Sequence, residues 1–300
     1  MCIRDRNGRY SNGSEIPEIS WNFTVEDGRI VIDWETAAGS SYSYVNGLEV
    51  EFDKDLVRDI TSDYTNADVS SILQADDGAV FDMLDTSLMF KDVEGTQPVT
   101  NFGDAVKRIN SRVEGIYMYD SKNEGATIVD YNGVPVLKMG SNAFKIEGYD
   151  VRIAQPVIAH GTLRQSSNDD AVLYWYSRTA GDYTGRKWGV FLRSGQYRMF
   201  FDNGNIDVYG VTEWNSYHDV YLNRPVNEVT IDGVSRAITS GGTSPDTYSD
   251  DDQGFSIGGY LGSNEKAFDG IMTHFVISSS ELNTTPLQEM VENHKTILGV

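Results

Sequence analysis

Ala171-Val172-Leu173-Tyr174-Trp175-Tyr176, Trp188-Gly189-Val190-Phe191-Leu192 and Tyr197-Arg198-Met199-Phe200-Phe201 follow one another along the chain, with glycine- and asparagine-bearing segments around them. Each run is dense in β-branched and aromatic residues and too short for a helix, which reads as a strand. The pattern recurs on both sides. Upstream lie Val134-Pro135-Val136-Leu137 and Val151-Arg152-Ile153-Ala154; downstream lie Glu228-Val229-Thr230-Ile231, Phe255-Ser256-Ile257 and Met272-Thr273-His274-Phe275-Val276-Ile277. Strands do not alternate with helices, so a parallel α/β sheet is excluded. The expected fold is all-β, an antiparallel jelly-roll sandwich over residues 77–300.

The two ends read differently. Thr285-Pro286 offers a capping hydroxyl and a proline for a helix start, followed by Leu287, Met290, Val291, Ile297 and Leu298 near helical spacing and Gly299 as the stop. A short C-terminal helix is predicted. At the other end, Ile19–Val25 and Arg29–Trp34 flank Asp27-Gly28, and Tyr42–Val45 and Leu48–Phe52 flank Asn46-Gly47. Such pairs supply the positive φ angles of tight hairpins, so residues 7–76 are read as a small β-hairpin module and a connector, with one short helix near Val69–Gln74. Residues 1–6, Met1-Cys2-Ile3-Arg4-Asp5-Arg6, look like a translated sequencing-adapter fragment and are set aside.

Charge narrows the partners. Lysine and arginine number 24 against 45 aspartates and glutamates, a formal net charge of -21. Phosphate contacts need basic residues in excess, so nucleic acid and anionic lipid are poor partners. No apolar run approaches the roughly 18 residues of a membrane span, and no membrane insertion is expected. Cys2 is the one cysteine of the sequence, which rules out an intrachain disulfide and a cysteine zinc site.

Two stretches resemble a known family. Phe90-Lys91-Asp92-Val93-Glu94-Gly95-Thr96-Gln97-Pro98-Val99-Thr100, with Gly103-Asp104-Ala105-Val106 after it, is similar to the opening of concanavalin A-like (LamG-like) jelly rolls of phage virion proteins. Phe255–Gly259, Phe268-Asp269-Gly270 and the closing helix look like that fold's last strands, and Thr230-Ile231-Asp232-Gly233-Val234 like its Val-Asp-Gly turn. The resemblance implies two curved antiparallel sheets with ligands at one rim or on the concave face. It implies no single activity, because this fold carries lectins, adhesins, glucanases and lyases.

Catalytic signals are sparse. Glu49, Glu51 and Asp53 share a face of a predicted strand, and retaining glycosidases place two carboxyls about 5 Å apart. The ordinary reading, a solvated acidic strand, is preferred, since the order of acids departs from the glucanase pattern. His160, His218, His274 and His294 are scattered without metal-binding spacing, and His274 is read as a packed or hydrogen-bonded core histidine. No Gly-x-Ser-x-Gly elbow occurs. No cofactor is required by the sequence; calcium is the candidate ion, at Asp169-Asp170, Asp202–Asn205 or Asp250–Asp252, where several oxygens cluster in predicted loops.

Sugar binding needs an aromatic face together with planar polar groups. Tyr183, Arg186 and Trp188 gather in one glycine-rich turn, and Trp214, Tyr217 and Tyr221 in another. The carbohydrate-contact set is Tyr183, Arg186, Trp188 and Trp214, with Trp175 assigned to the core. The expectation is a non-catalytic phage structural or tail-associated protein, in the virion or outside the cell. Its expected partners are surface or extracellular polysaccharide, other virion subunits and further copies of itself. Glycan hydrolysis or lysis on the same fold, and a secreted bacterial adhesin, are the alternatives.

Overall fold

The computed structural model describes residues 69–300 except the segments 75–76, 122–125, 141–142, 154–155, 165–170, 178–185, 194–195, 202–204, 211–215, 238–253 and 260–266; before residue 69 it describes five short strands. The chain divides into two compact units, Met1–Asp59 and Ile60–Val300. In the first, the strands are β1 (Cys2–Asp5), β2 (Ile19–Ser20), β3 (Val25–Glu26), β4 (Arg29–Ile30) and β5 (Leu48–Glu51). β3 and β4, which flank Asp27-Gly28 in the sequence, pair antiparallel as predicted. β5 differs: it pairs with β1, and residues 42–47 of its predicted hairpin lie outside the described residues. The four residues Cys2–Asp5, set aside in the sequence reading, thus pair with two strands.

The first described element of the second unit is a 3-10 turn, Val69–Ile72, where a short helix is predicted. Its strands are β6 (Gly78–Asp82), β7 (Met89–Phe90), β8 (Ala105–Val106), β9 (Arg108–Asn110), β10 (Tyr117–Asp120), β11 (Ala126–Tyr131), β12 (Val134–Met139), β13 (Phe144–Glu147) and β14 (Val157–Arg164). They continue as β15 (Ala171–Ser177), β16 (Arg186–Arg193), β17 (Gln196–Phe201), β18 (Asn205–Gly210), β19 (Tyr217–Asn223), β20 (Glu228–Ile231), β21 (Val234–Ala237), β22 (Gly254–Ile257) and β23 (Gly270–Ser278). The described strands form two nine-stranded sheets. The front sheet runs β18-β17-β16-β15-β22-β13-β10-β9-β7, and the back sheet β21-β20-β19-β14-β23-β12-β11-β8, with β6 also on β23. The pairings between these strands are antiparallel, as in an all-β sandwich.

The core lies between the sheets. Phe81, Ile158, Phe275 and Ile277 from the back sheet meet Met118, Phe144, Tyr174, Trp188 and Phe255 from the front. Alternation shows which strands have one wet face: β10 reads half-buried, buried, half-buried, buried. β23 is buried along all nine residues. Its second face is covered by helix α1 (Thr284–Leu298), which sets Leu287 and Met290 onto Val80, Val157, Ala159 and Val276. Leu298 closes over Val136, Leu163 and Ile271. A strand covered on both sides needs an unbroken apolar run, which β23 nearly has.

Two predicted elements shift. The helix is capped by Asn283, not Thr285, and Pro286 falls at its third residue, where the missing N–H still costs no intrahelical bond. The Asn283 N–H donates to Ile72 O and its side-chain amide to Ser71 O, so the 3-10 turn fixes where the helix begins. Gly299 ends it in the left-handed conformation, as predicted. Val151–Ile153 is irregular chain, with Val151 and Ile153 packed on the core; Ala154 is outside the described residues. No described helix is long and apolar enough to cross a membrane.

Candidate functional site

Period two in the narrow strands of the front sheet builds the candidate site. Met118 and Ile109 point into the core, so Tyr117, Tyr119, Arg108 and Asn110 stand on the opposite, outward face. Register then lays out two rows across β9, β10 and β13. Arg108, Tyr119 and Lys145 form one row, and Asn110, Tyr117 and Glu147 the other. All are half-buried except Glu147, which is exposed.

Contacts between the rows are diagonal. The Arg108 guanidinium lies 3.8 Å from the Tyr117 ring centre, a cation–π contact. The two tyrosine rings are 6.4 Å apart and tilted by 49°. Tyr119 donates its hydroxyl to Glu147; burial first, then the Glu147 charge, holds its phenol above the ordinary range. Lys145 makes no ion pair among the described residues.

The Phe90–Thr100 stretch positions Arg108. The Asp92 carboxylate accepts from the Thr96 and Gln97 N–H groups at 2.9 and 3.0 Å and from the Thr96 hydroxyl, closing a tight turn. That hydroxyl is the main reason the Asp92 carboxyl sits below its ordinary range. The turn presents Val93 O and Glu94 O to Arg108 Nη1, both at 3.1 Å, while Asn110 Oδ1 accepts from Nε at 2.8 Å. Gly95 has φ 75°, which favours glycine, and a Cβ there would meet the guanidinium at 3.0 Å and have to displace it slightly. Asp104 fixes the second half of the motif by accepting from the Thr100 and Asn101 N–H groups, each at 3.0 Å.

The sugar contacts expected from sequence fare unevenly. Trp188 is fully buried, stacked on Tyr176 at 5.7 Å and 5.2 Å from Phe255. Its ring is core and cannot meet a sugar from outside, which corrects that expectation. Arg186 is the first residue of β16, with its side chain outside the described residues, as are Tyr183 and Trp214. Tyr217 and Tyr221 belong to β19 and face α1 rather than a surface turn. Asp53 and most of the calcium candidates, Asp169-Asp170, Asp202–Gly204 and Asp250–Asp252, also fall outside, as do the side chains of Glu49, Glu51 and Trp175. Tyr117 and Tyr119 were legible as a Tyr-x-Tyr alternation preceded by Arg-x-Asn, a signal the sequence reading does not use.

The histidines, distant in sequence, converge on the back sheet. His218 Nδ1 is 2.8 Å from Asp232 Oδ2, and His294 Nε2 is 3.2 Å from Asp82 Oδ1. His274 is buried and hydrogen-bonded, as expected, with Nδ1 3.2 Å from Thr273 Oγ1. No group of three His, Cys, Asp or Glu residues fit to hold a metal occurs among the described residues.

No protein-family model and no curated protein matches the chain. Solved structures do. Trypanosoma rangeli sialidase in complex with the inhibitor DANA is 12% identical with a TM-score of 0.47, over 75% of this chain and 34% of that one. Domain 4 of AbnA, a GH43 extracellular arabinanase from Geobacillus stearothermophilus in complex with arabinotriose, is 15% identical with a TM-score of 0.43, over 71% and 96%. A GH54 α-L-arabinofuranosidase soaked with a cyclic sulfate inhibitor is 12% identical with a TM-score of 0.48, over 73% and 62%. The chain spans about a third of the length of the sialidases it matches. One expectation is corrected here. The chain is expected to be non-catalytic, whereas the solved structures it is similar to are a sialidase, a domain of an arabinanase and an arabinofuranosidase.

Proposed function

We propose that this chain is a carbohydrate-active β-sandwich that grips a glycan on the outward face of β9, β10 and β13. The observation that carries the reading is the two-row array of Tyr117 and Tyr119 among Arg108, Asn110, Lys145 and Glu147. Aromatic rings take the apolar face of a sugar, while the amine, amide and carboxylate groups around them match its hydroxyls. The ligand class is surface or extracellular polysaccharide; Tyr183, Arg186 and Trp214, named from the sequence, are proposed as further contacts, and self-association multiplies weak sites. Attachment to a virion rests on the sequence resemblance alone, and neighbouring tail or capsid genes would carry it.

Calorimetry against arabinan, sialyllactose, laminarin and alginate tests the site. Binding to one of them should weaken at least about tenfold in Tyr119→Ala, as expected for loss of an aromatic anchor. Absence of binding to every glycan, or an unchanged affinity in Tyr119→Ala, overturns the reading.

A second reading is glycosidic-bond cleavage by the same chain. It is favoured by Leu48–Glu51 being a strand, which spaces Glu49 and Glu51 two residues apart as paired carboxyl chemistry requires. Reducing ends released from laminarin, agar or alginate, and lost in Glu49→Gln, would support it; no release from any of them would end it.

A further inference from the structure

Beneath α1 the back sheet carries a polar seam. The β14–β23 ladder shifts register between Gly161 and Thr162, bringing Thr273 and His274 over Gly161. A Cβ on Gly161 would fall 2.2 Å from the Tyr217 hydroxyl, 2.3 Å from Thr273 Oγ1 and 2.7 Å from His274 Cε1. In that gap Tyr217 OH meets Thr273 Oγ1 at 3.2 Å, and Thr273 Oγ1 meets His274 Nδ1 at 3.2 Å. The other ring nitrogen, His274 Nε2, is fully buried with no hydrogen-bond partner. Asp219 Oδ1 lies 3.6 Å from it.

A buried nitrogen without a partner beside a carboxyl has a simple resolution. A protonated Asp219 donates to a neutral His274, or a carboxylate faces an imidazolium; both arrangements hold one proton. We propose that Asp219 and His274 share a single proton across this contact, and that the shared proton keeps α1 seated on the sheet without a pH penalty.

Burial disfavours both charges. It raises Asp219 to about 7 and holds His274 well below its ordinary value. The groups around the pair act in both directions. Lys295 of α1 lowers Asp219, while Asp232 of the β20–β21 turn and Glu292 of α1 raise it. His294 of α1 and His160 of β14 push His274 down, and Asp82 of β6 pulls it up. Both directions favour the neutral pair, a protonated Asp219 beside an unprotonated Nε2.

Lifting α1 returns the two groups to ordinary values of about 3.9 and 6.5. Between those values the lifted state also holds one proton, now on His274. Opening then neither takes up nor releases a proton, and the seat is pH-independent over that window. Each partner alone behaves otherwise. In Asp219→Asn the closed seam holds no proton and the open state gains one below pH ~6.5, so opening grows about tenfold per unit as pH falls. In His274→Gln the closed carboxyl keeps a proton that the open one loses above pH ~3.9, so opening grows about tenfold per unit as pH rises towards 7.

Hydrogen exchange of peptides spanning 284–298 in the whole chain, corrected for intrinsic rates and referenced to β15–β17 peptides, reads this directly. From pH 6.5 to 5.0 the unsubstituted protein should change less than about threefold, Asp219→Asn should open about fifteenfold more, and His274→Gln about twentyfold less. A steep slope in the unsubstituted protein, or slopes of the same sign in the two variants, overturns the proposal. Should a variant fail to fold, 15N spectra of the unsubstituted protein decide. His274 Nε2 titrating together with Asp219 supports the shared proton, and His274 titrating alone near its ordinary value refutes it.

Discussion

The two sheets use their outward faces in opposite ways. On the back sheet α1 covers the face, and Asp82, His274 and His294 lie at zero exposure, answering one another. On the front sheet the rows of β9, β10 and β13 stay half-exposed, and Arg108, Tyr117, Tyr119 and Lys145 keep polar capacity towards solvent. Both faces mix aromatic, basic and acidic groups, so composition does not separate them. Cover does. A sealed polar group must be matched within the protein or cost stability, whereas an open one can be matched by water or by a ligand.

If that contrast holds, substitutions under α1 should act on folding and those on the front face on binding. The largest effect is expected for Asp82→Ala, which leaves Arg112 and His294 facing a lost carboxylate. A loss of about 3–5 kcal/mol in denaturant unfolding is predicted, as for a broken buried pair. Gly161→Ala should cost about 1–3 kcal/mol, because its methyl group enters the space shared by Tyr217 and Thr273. A Gly161→Ala protein as stable as the parent would mean that the seam is loosely packed.

A pH series sharpens the comparison further. Burial first, and then His218, lowers His160 to about 3 within the sandwich. The unfolded chain takes up a proton near pH 6.5 that the folded one refuses. Stability carried by His160 is therefore complete above pH ~6.5 and is lost as pH falls, at roughly 1.4 kcal/mol per unit down to the folded value. His160→Phe should flatten that slope in a series of urea titrations. The smallest effect on stability is predicted for Tyr119→Ala, about 1 kcal/mol or less, since its cross-strand contacts are half-exposed. A larger loss there would make the front face structural and erase the distinction.

The legible part of the fold was the part governed by local rules. The strands flanking Asp27-Gly28 pair, as a turn of that composition implies, and Gly299 stops the helix because glycine tolerates positive φ. The runs at 171–176, 188–192 and 197–201 are strands, as their residues prefer. Trp188 misled, because the same ring suits a sugar platform and a core, and only the pairing of β16 with its neighbours aims it inward. The four histidines misled in the other direction. Separated by up to 134 positions between His160 and His294, they give no spacing signal, yet the antiparallel ladder and α1 bring His274 and His294 rings to 5.5 Å.

Sequence by itself determined the class of this protein: short β-forming runs, turn residues between them and one capped helix leave an antiparallel sandwich as the way to bury 39% hydrophobic residues. Strand order, register and the docking of α1 decided the rest. They aim Tyr117 and Tyr119 outward beside Arg108, turn Trp188 inward, and leave Asp219 and His274 facing each other under the helix. The physical reason is that propensity acts over a few residues, whereas exposure and charge pairing depend on what the rest of the chain lays on top.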